Sequence, residues 1–211
     1  GVMDWMGTPQ FASLMKIVEP FEYRDRLTMP KFILNSAGDQ FFVPDSSQFY
    51  FDQLKGEKYL RYVPNTDHGV TRRSDAAESL AAFYESIVRG WKRPEFSWKI
   101  TPGGKIEAVC KDRPSAVKLW TAANPDARDF RLETIGRAWT SVDVQPRADG
   151  VYVAEIPKPA RGFAAGFLEF TFPTPGGSSW KFTTAVKVVP DVYPFPPPKP
   201  GRPAAAEPTG R

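Results

Sequence analysis

The 211 residues suffice for one large or two small domains, and 41% hydrophobic with 25% charged residues is an ordinary globular make-up. The net charge of +4 is scattered, with no long basic run and no interleaving of basic and aromatic side chains, which argues against a nucleic-acid surface. No stretch approaches the ~20 apolar residues of a membrane-spanning helix, and the single cysteine, Cys110, excludes an internal disulfide or a multi-cysteine metal site.

The first predicted element is a helix from Thr8 to Glu19, with Pro9 in its first turn and Phe11, Leu14, Met15 and Val18 on one face. Lys31 to Asn35 follows as a short apolar run between Pro30 and Gly38, the pattern of a buried parallel strand. Asp45 to Leu54 is expected to be a second amphipathic helix with Asp45 as its N-cap. Lys58 to Val63 is the next strand, closed by Pro64-Asn65. A longer helix covers Ser74 to Arg89, with Ala77, Leu80, Ala81, Tyr84, Ile87 and Val88 expected to face inward. Alternating helices and strands point to βαβ units and a parallel sheet.

Beyond Gly90-Trp91-Lys92-Arg93-Pro94 the period changes to two. From Phe96 to Val189, alternation such as Ile106, Ala108 and Cys110 on one face predicts about seven short strands, the size of an immunoglobulin- or fibronectin-like sandwich. The expected organisation is therefore α/β plus all-β: an α/β part over 1–93, a β-sandwich over 94–190, and a disordered Pro/Ala-rich tail over 191–211. The first part has too few strands to close a core and is expected to need further chain, whereas the sandwich closes its own.

Two residues could do chemistry together. Asp39 follows the first parallel strand in Ser36-Ala37-Gly38-Asp39, and His68, the sole histidine, follows the second in Pro64-Asn65-Thr66-Asp67-His68. Active sites of open α/β sheets gather beyond the carboxyl ends of strands. An acid preceding a histidine by one strand-helix-strand unit also matches the triad order of α/β-hydrolases. There, the carboxylate orients the imidazole and the imidazole takes the proton of a serine. A Gly-Asp pair is equally ordinary turn chemistry. Asp67 competes for the acid role, and a calcium site at Asp39, Asp45 and Asp67 stays open, though without EF-hand spacing. No G-x-S-x-G occurs, neither Ser36 nor Ser46 precedes the acid on a strand-to-helix elbow, and Cys110 falls in a predicted core strand. Trp98, Trp120, Trp139 and Trp180 could form a carbohydrate platform or, more ordinarily, core.

The segments Met29-Pro30-Lys31 through Ser47, Tyr59 through His68, Glu169 through Pro173 and Phe182 through Pro190 resemble the PhoPQ-activated pathogenicity-related protein family. The resemblance implies an exported, periplasmic or secreted α/β-hydrolase with a C-terminal β-domain, linked to virulence. It makes Asp39 the triad acid and His68 the triad histidine, with a G-x-S-K-x-G elbow upstream of this chain. On that reading the chain is a C-terminal fragment of a serine hydrolase of esters or amides, inactive without its upstream half, and it needs no cofactor or metal. The rival expectation is a non-catalytic extracellular binding or signalling protein on the same scaffold.

Overall fold

A computed structural model describes residues 5–72 and 74–196. Most of the expected tail, from residue 197 onward, lies outside the described residues. Helix α1 (Pro9–Val18) begins as expected: Thr8 Oγ1 accepts the Phe11 N–H at 3.2 Å, and Pro9 occupies a position that needs no donor. Among the described residues its apolar face is only partly covered: Phe11 and Met15 are half-buried, no residue of α1 is buried, and Leu14, Ile17 and Val18 are exposed, contrary to the inward face expected for Leu14 and Val18.

Strands β1 (Lys31–Ser36) and β2 (Lys58–Val63) pair in parallel, in register from Lys31 opposite Lys58 to Ser36 opposite Val63. The helix expected between them is instead two short 3-10 turns, Ser46–Phe49 and Phe51–Gln53. Asp45 makes no capping bond to the first of these. Its carboxylate is buried against Arg128 at 2.5 Å, so a distant cation takes the oxygen that a helix would have used.

Helix α2 (Ala76–Val88) lies where a helix was expected but presents a different face. Ala76, Ser79, Ala82, Phe83 and Ser86 are buried, while Leu80, Tyr84, Ile87 and Val88 are exposed. Small residues let the helix approach the sheet closely. The Trp180 indole N–H reaches Ala82 O at 3.1 Å, and Phe83 stacks on Phe32 with centroids 5.0 Å apart. The greasier outer stripe has no cover among the described residues.

The rest of the described chain is strand-rich. β3 (Phe96–Ile100), β4 (Lys105–Cys110) and β7 (Val151–Glu155) form an antiparallel sheet in the order β3-β4-β7. β5 (Ala116–Asn124), β6 (Thr140–Asp143), β8 (Phe163–Pro173), β9 (Ser179–Thr183) and β10 (Lys187–Val189) join β1 and β2 in a mixed seven-stranded sheet. Its order is β1-β2-β9-β8-β5-β6, with β10 alongside β8. A short helix, α3 (Leu132–Ile135), lies between β5 and β6. The core spans both halves of the chain: Tyr59 and Phe83 pack with Ile106, Ala108, Phe170 and Phe182. Cys110 packs against the same cluster, where burial pushes its thiol up to about 11 and leaves it a poor nucleophile.

Arg61, in the middle of β2, has 2% of its side chain exposed. It pairs with Glu169 of β8 and, at 2.7 Å, with Asp75, which also receives Lys181 of β9. Burial would raise the Asp75 carboxyl, but Arg61 and Lys181 outweigh that and hold it below the ordinary range. Arg61→Ala should cost about 3–5 kcal/mol in urea unfolding, because Glu169 is left charged and buried. Arg61→Met combined with Glu169→Gln should recover most of that loss, and equal midpoints for the single and double variants would refute this account.

Candidate active site

The acid and the histidine sit just past the carboxyl ends of β1 and β2, and the parallel register brings them side by side. His68 Nδ1 lies 2.9 Å from Asp39 Oδ2. The other carboxylate oxygen, Oδ1, accepts the N–H groups of Phe41 at 2.7 Å and Phe42 at 3.2 Å. The turn role and the histidine role expected as alternatives for Asp39 therefore coexist, one on each oxygen. A carboxylate at this position can only accept, so the neutral imidazole carries its proton on Nδ1 and leaves the Nε2 lone pair free. The acid is sheltered and the base is open: 9% of the Asp39 side chain is exposed, against 53% for His68.

The loops are fastened to each other before they reach the pair. The Ser36 hydroxyl donates to Thr66 O at 2.6 Å and accepts from Gly38 N at 3.1 Å. Thr66 Oγ1 lies 2.8 Å from Val63 O and 3.0 Å from Ser36 Oγ. The Gln40 side chain accepts the His68 backbone N–H at 2.9 Å. Phe41 meets the imidazole edge-on at 4.9 Å between ring centres, and Phe42 lies 5.9 Å away. Both phenyl rings are otherwise exposed, as is Val43, so the histidine stands on an apolar rim.

The remaining candidates go elsewhere. Asp67 turns its Oδ1 to Gly69 N at 2.9 Å, away from the acid role, and Asp45 belongs to Arg128. No group of three or more metal-ligating side chains converges among the described residues. Trp139 and Trp180 are buried in the core rather than on a platform. A cleft of about 920 Å³, lined by Lys58, Tyr59, Phe96, Trp98 and Lys187 among others, opens at the amino end of β2, the end opposite the Asp39–His68 pair. Sequence reasoning missed Gln40, the Ser36–Thr66 clasp and the aromatic rim. Only the Phe41-Phe42 doublet carried a readable signal, two large apolar residues directly after a turn.

The family described as PhoPQ-activated pathogenicity-related protein matches residues 1–131, both site loops included. The chain belongs to this family. It is also 37% identical to the autocrine proliferation repressor protein A of Dictyostelium discoideum over 92% of this chain and 45% of that protein. The chain thus spans less than half the length of this curated relative. No helix among the described residues is long and apolar enough to cross a membrane.

Because His68 is the sole histidine, its ring nitrogens can be read without ambiguity. Long-range ¹H–¹⁵N correlation at a pH where the ring is neutral should find the proton on Nδ1. Asp39→Asn should move it toward Nε2, since an amide can donate to Nδ1 where a carboxylate cannot. A tautomer unchanged by that substitution would mean that Asp39 does not orient the ring.

Proposed function

We propose that this chain is the C-terminal part of an α/β-hydrolase-type serine hydrolase, with Asp39 as triad acid and His68 as general base. The single observation that carries the reading is the 2.9 Å contact from Asp39 Oδ2 to His68 Nδ1 at the carboxyl end of a parallel strand pair. A base poised in this way takes a proton from a hydroxyl as it attacks an ester or amide carbonyl. It then returns the proton to the leaving group, while the carboxylate stabilises the imidazolium. The nucleophile and the oxyanion donors come from chain outside these 211 residues, since no G-x-S-x-G occurs within them.

Three surfaces support an upstream partner segment: the partly covered face of α1, the outer stripe of α2, and the edge of β1 away from β2. An added strand along β1 would extend the parallel sheet, and added helices would bury Leu80, Tyr84 and Ile87. On this reading the protein acts outside the cytoplasm, as a periplasmic or secreted hydrolase, whose β-rich part shares a sheet and a core with the Asp39–His68 part.

A second reading follows from the name of the Dictyostelium relative, a proliferation repressor. On it, the scaffold is a signalling protein and the Asp39–His68 pair is a structural remnant. One experiment separates the two. A serine-directed fluorophosphonate should leave this chain alone unlabelled and label the longer protein stoichiometrically. His68→Ala in the longer protein should slow labelling by ~10³-fold or more. A longer protein that is folded yet never labelled would favour the signalling reading.

A further inference from the structure

Residues 125–139, the connection between β5 and β6, touch the candidate site at three points. The Leu132 N–H donates to Gly38 O at 2.9 Å, directly before Asp39. Asn65, on the His68 loop, accepts the Trp139 N–H at 3.0 Å and donates its amide to Trp139 O at 2.9 Å. Arg128 reaches Asp45, at the far end of the Asp39 loop.

We propose that this connection is a positioning element for the Asp39–His68 pair, and that Asn65 is the positioning residue through which it holds the histidine. The inference rests on the hydrolase reading and extends the site into the β-rich part of the chain. Asn65 is the non-glycine residue with positive φ among the described residues, at 57°. Asparagine tolerates that conformation better than most side chains. The left-handed step turns the chain out of β2 toward His68, and the side chain then forms a reciprocal pair with one peptide unit, as a neighbouring strand would. That peptide is itself anchored: Trp139 is buried, with its ring 5.3 Å from Phe167 and 6.3 Å from Phe130. The histidine loop is thus tied through Asn65 to the core under β8.

The acid loop is held as tightly. A Cβ on Gly38 would lie 2.6 Å from Thr66 O and 3.0 Å from Leu132 N, so the acid loop, the histidine loop and the β5–β6 connection meet where only glycine fits. The connection therefore sets the spacing of Asp39 and His68 from outside both of their loops. Positioning of this kind matters most for a base as exposed as His68, whose ring has little burial of its own to hold it.

The test uses two variants of the full chain. Asn65→Gly keeps the left-handed backbone and deletes both bonds to Trp139. Leu132→Pro removes the donor to Gly38 O and sets the ring Cδ against that oxygen, 2.9 Å from the nitrogen, so it pushes the acid loop away; the site is the first position of α3, where proline suits a helix, and the extended Arg131 before it suits a following proline. In each variant, amide exchange across β8 should match the parent, showing that the core is intact. The preference of neutral His68 for the Nδ1–H tautomer should fall about tenfold, as ~1 Å of misplacement weakens the contact to Asp39. In the longer protein the same variants should slow fluorophosphonate labelling by about 10²-fold. Wild-type tautomer populations in both variants would overturn the proposal whatever the labelling result. A shifted tautomer in a longer protein that is never labelled would keep the brace and reject the hydrolase.

Discussion

The junction between β2 and β9 is the point on which the rest of the architecture depends. A parallel pair, β1 and β2, has to be joined to an antiparallel array, and the two geometries space their hydrogen bonds differently. The strands resolve this with one ladder position, Leu60 opposite Thr183, after which side chains take over. Thr183 Oγ1 accepts the Tyr62 N–H at 3.0 Å, replacing a main-chain carbonyl, and Thr184 Oγ1 does the same for Leu168 N at 3.1 Å. Tyr59 stacks on Phe182 with ring centres 4.2 Å apart and closes the seam on its apolar side. Threonine suits both demands, because its branched Cβ favours strands and its hydroxyl can stand in for a backbone acceptor.

Beside this seam lies a charged network: Arg61 of β2 reaches past β9 to Glu169 of β8, with Asp75 and Lys181 joined to it. Two positive and two negative groups balance, so no net charge is buried, although each ion still carries its own desolvation cost. Apolar residues could fill the same volume at similar stability. The ionic arrangement adds direction, because Asp75 stands immediately before α2 and ties the start of that helix to both β2 and β9. The helix is thereby fixed with its small residues inward and its larger apolar residues outward.

How far the sequence could be read follows from the range of the interactions involved. Lys31 and Lys58 open both parallel strands as the apolar runs implied, because a strand buried on two faces announces itself in consecutive residues. Thr8 and Pro9 likewise announced α1 locally. Hydrophobicity alone favours Leu80, Tyr84 and Ile87 as the inner face of α2, while the fold selects Ala76, Ser79 and Ala82 for close approach. Asp45 reads locally as a cap because its ionic partner, Arg128, is distant in sequence and nothing near Asp45 points to it. The Asp39–His68 contact was legible from strand order and the rule placing sites beyond carboxyl ends. Its supports were not, since Asn65 reads only as a turn residue after Pro64 and gives no sign of reaching Trp139.

The two members of the pair differ in shelter, with 9% of the Asp39 side chain exposed against 53% for His68. In a finished active site a histidine base is usually shielded, so that its proton transfers occur away from bulk water. Here Asp39 is sheltered, its carboxylate held by the N–H groups of Phe41 and Phe42 on one oxygen and by His68 on the other. His68 has shelter on one side only, from Phe41 and Phe42. Those two rings, with Val43, form an exposed apolar margin beside the imidazole. Exposed apolar surface is costly in water, at about 25 cal/mol per Å², and it is shared between this margin, α1 and the outer stripe of α2. On the proposed hydrolase reading, a nucleophile would have to approach the ring nitrogen that Asp39 does not occupy.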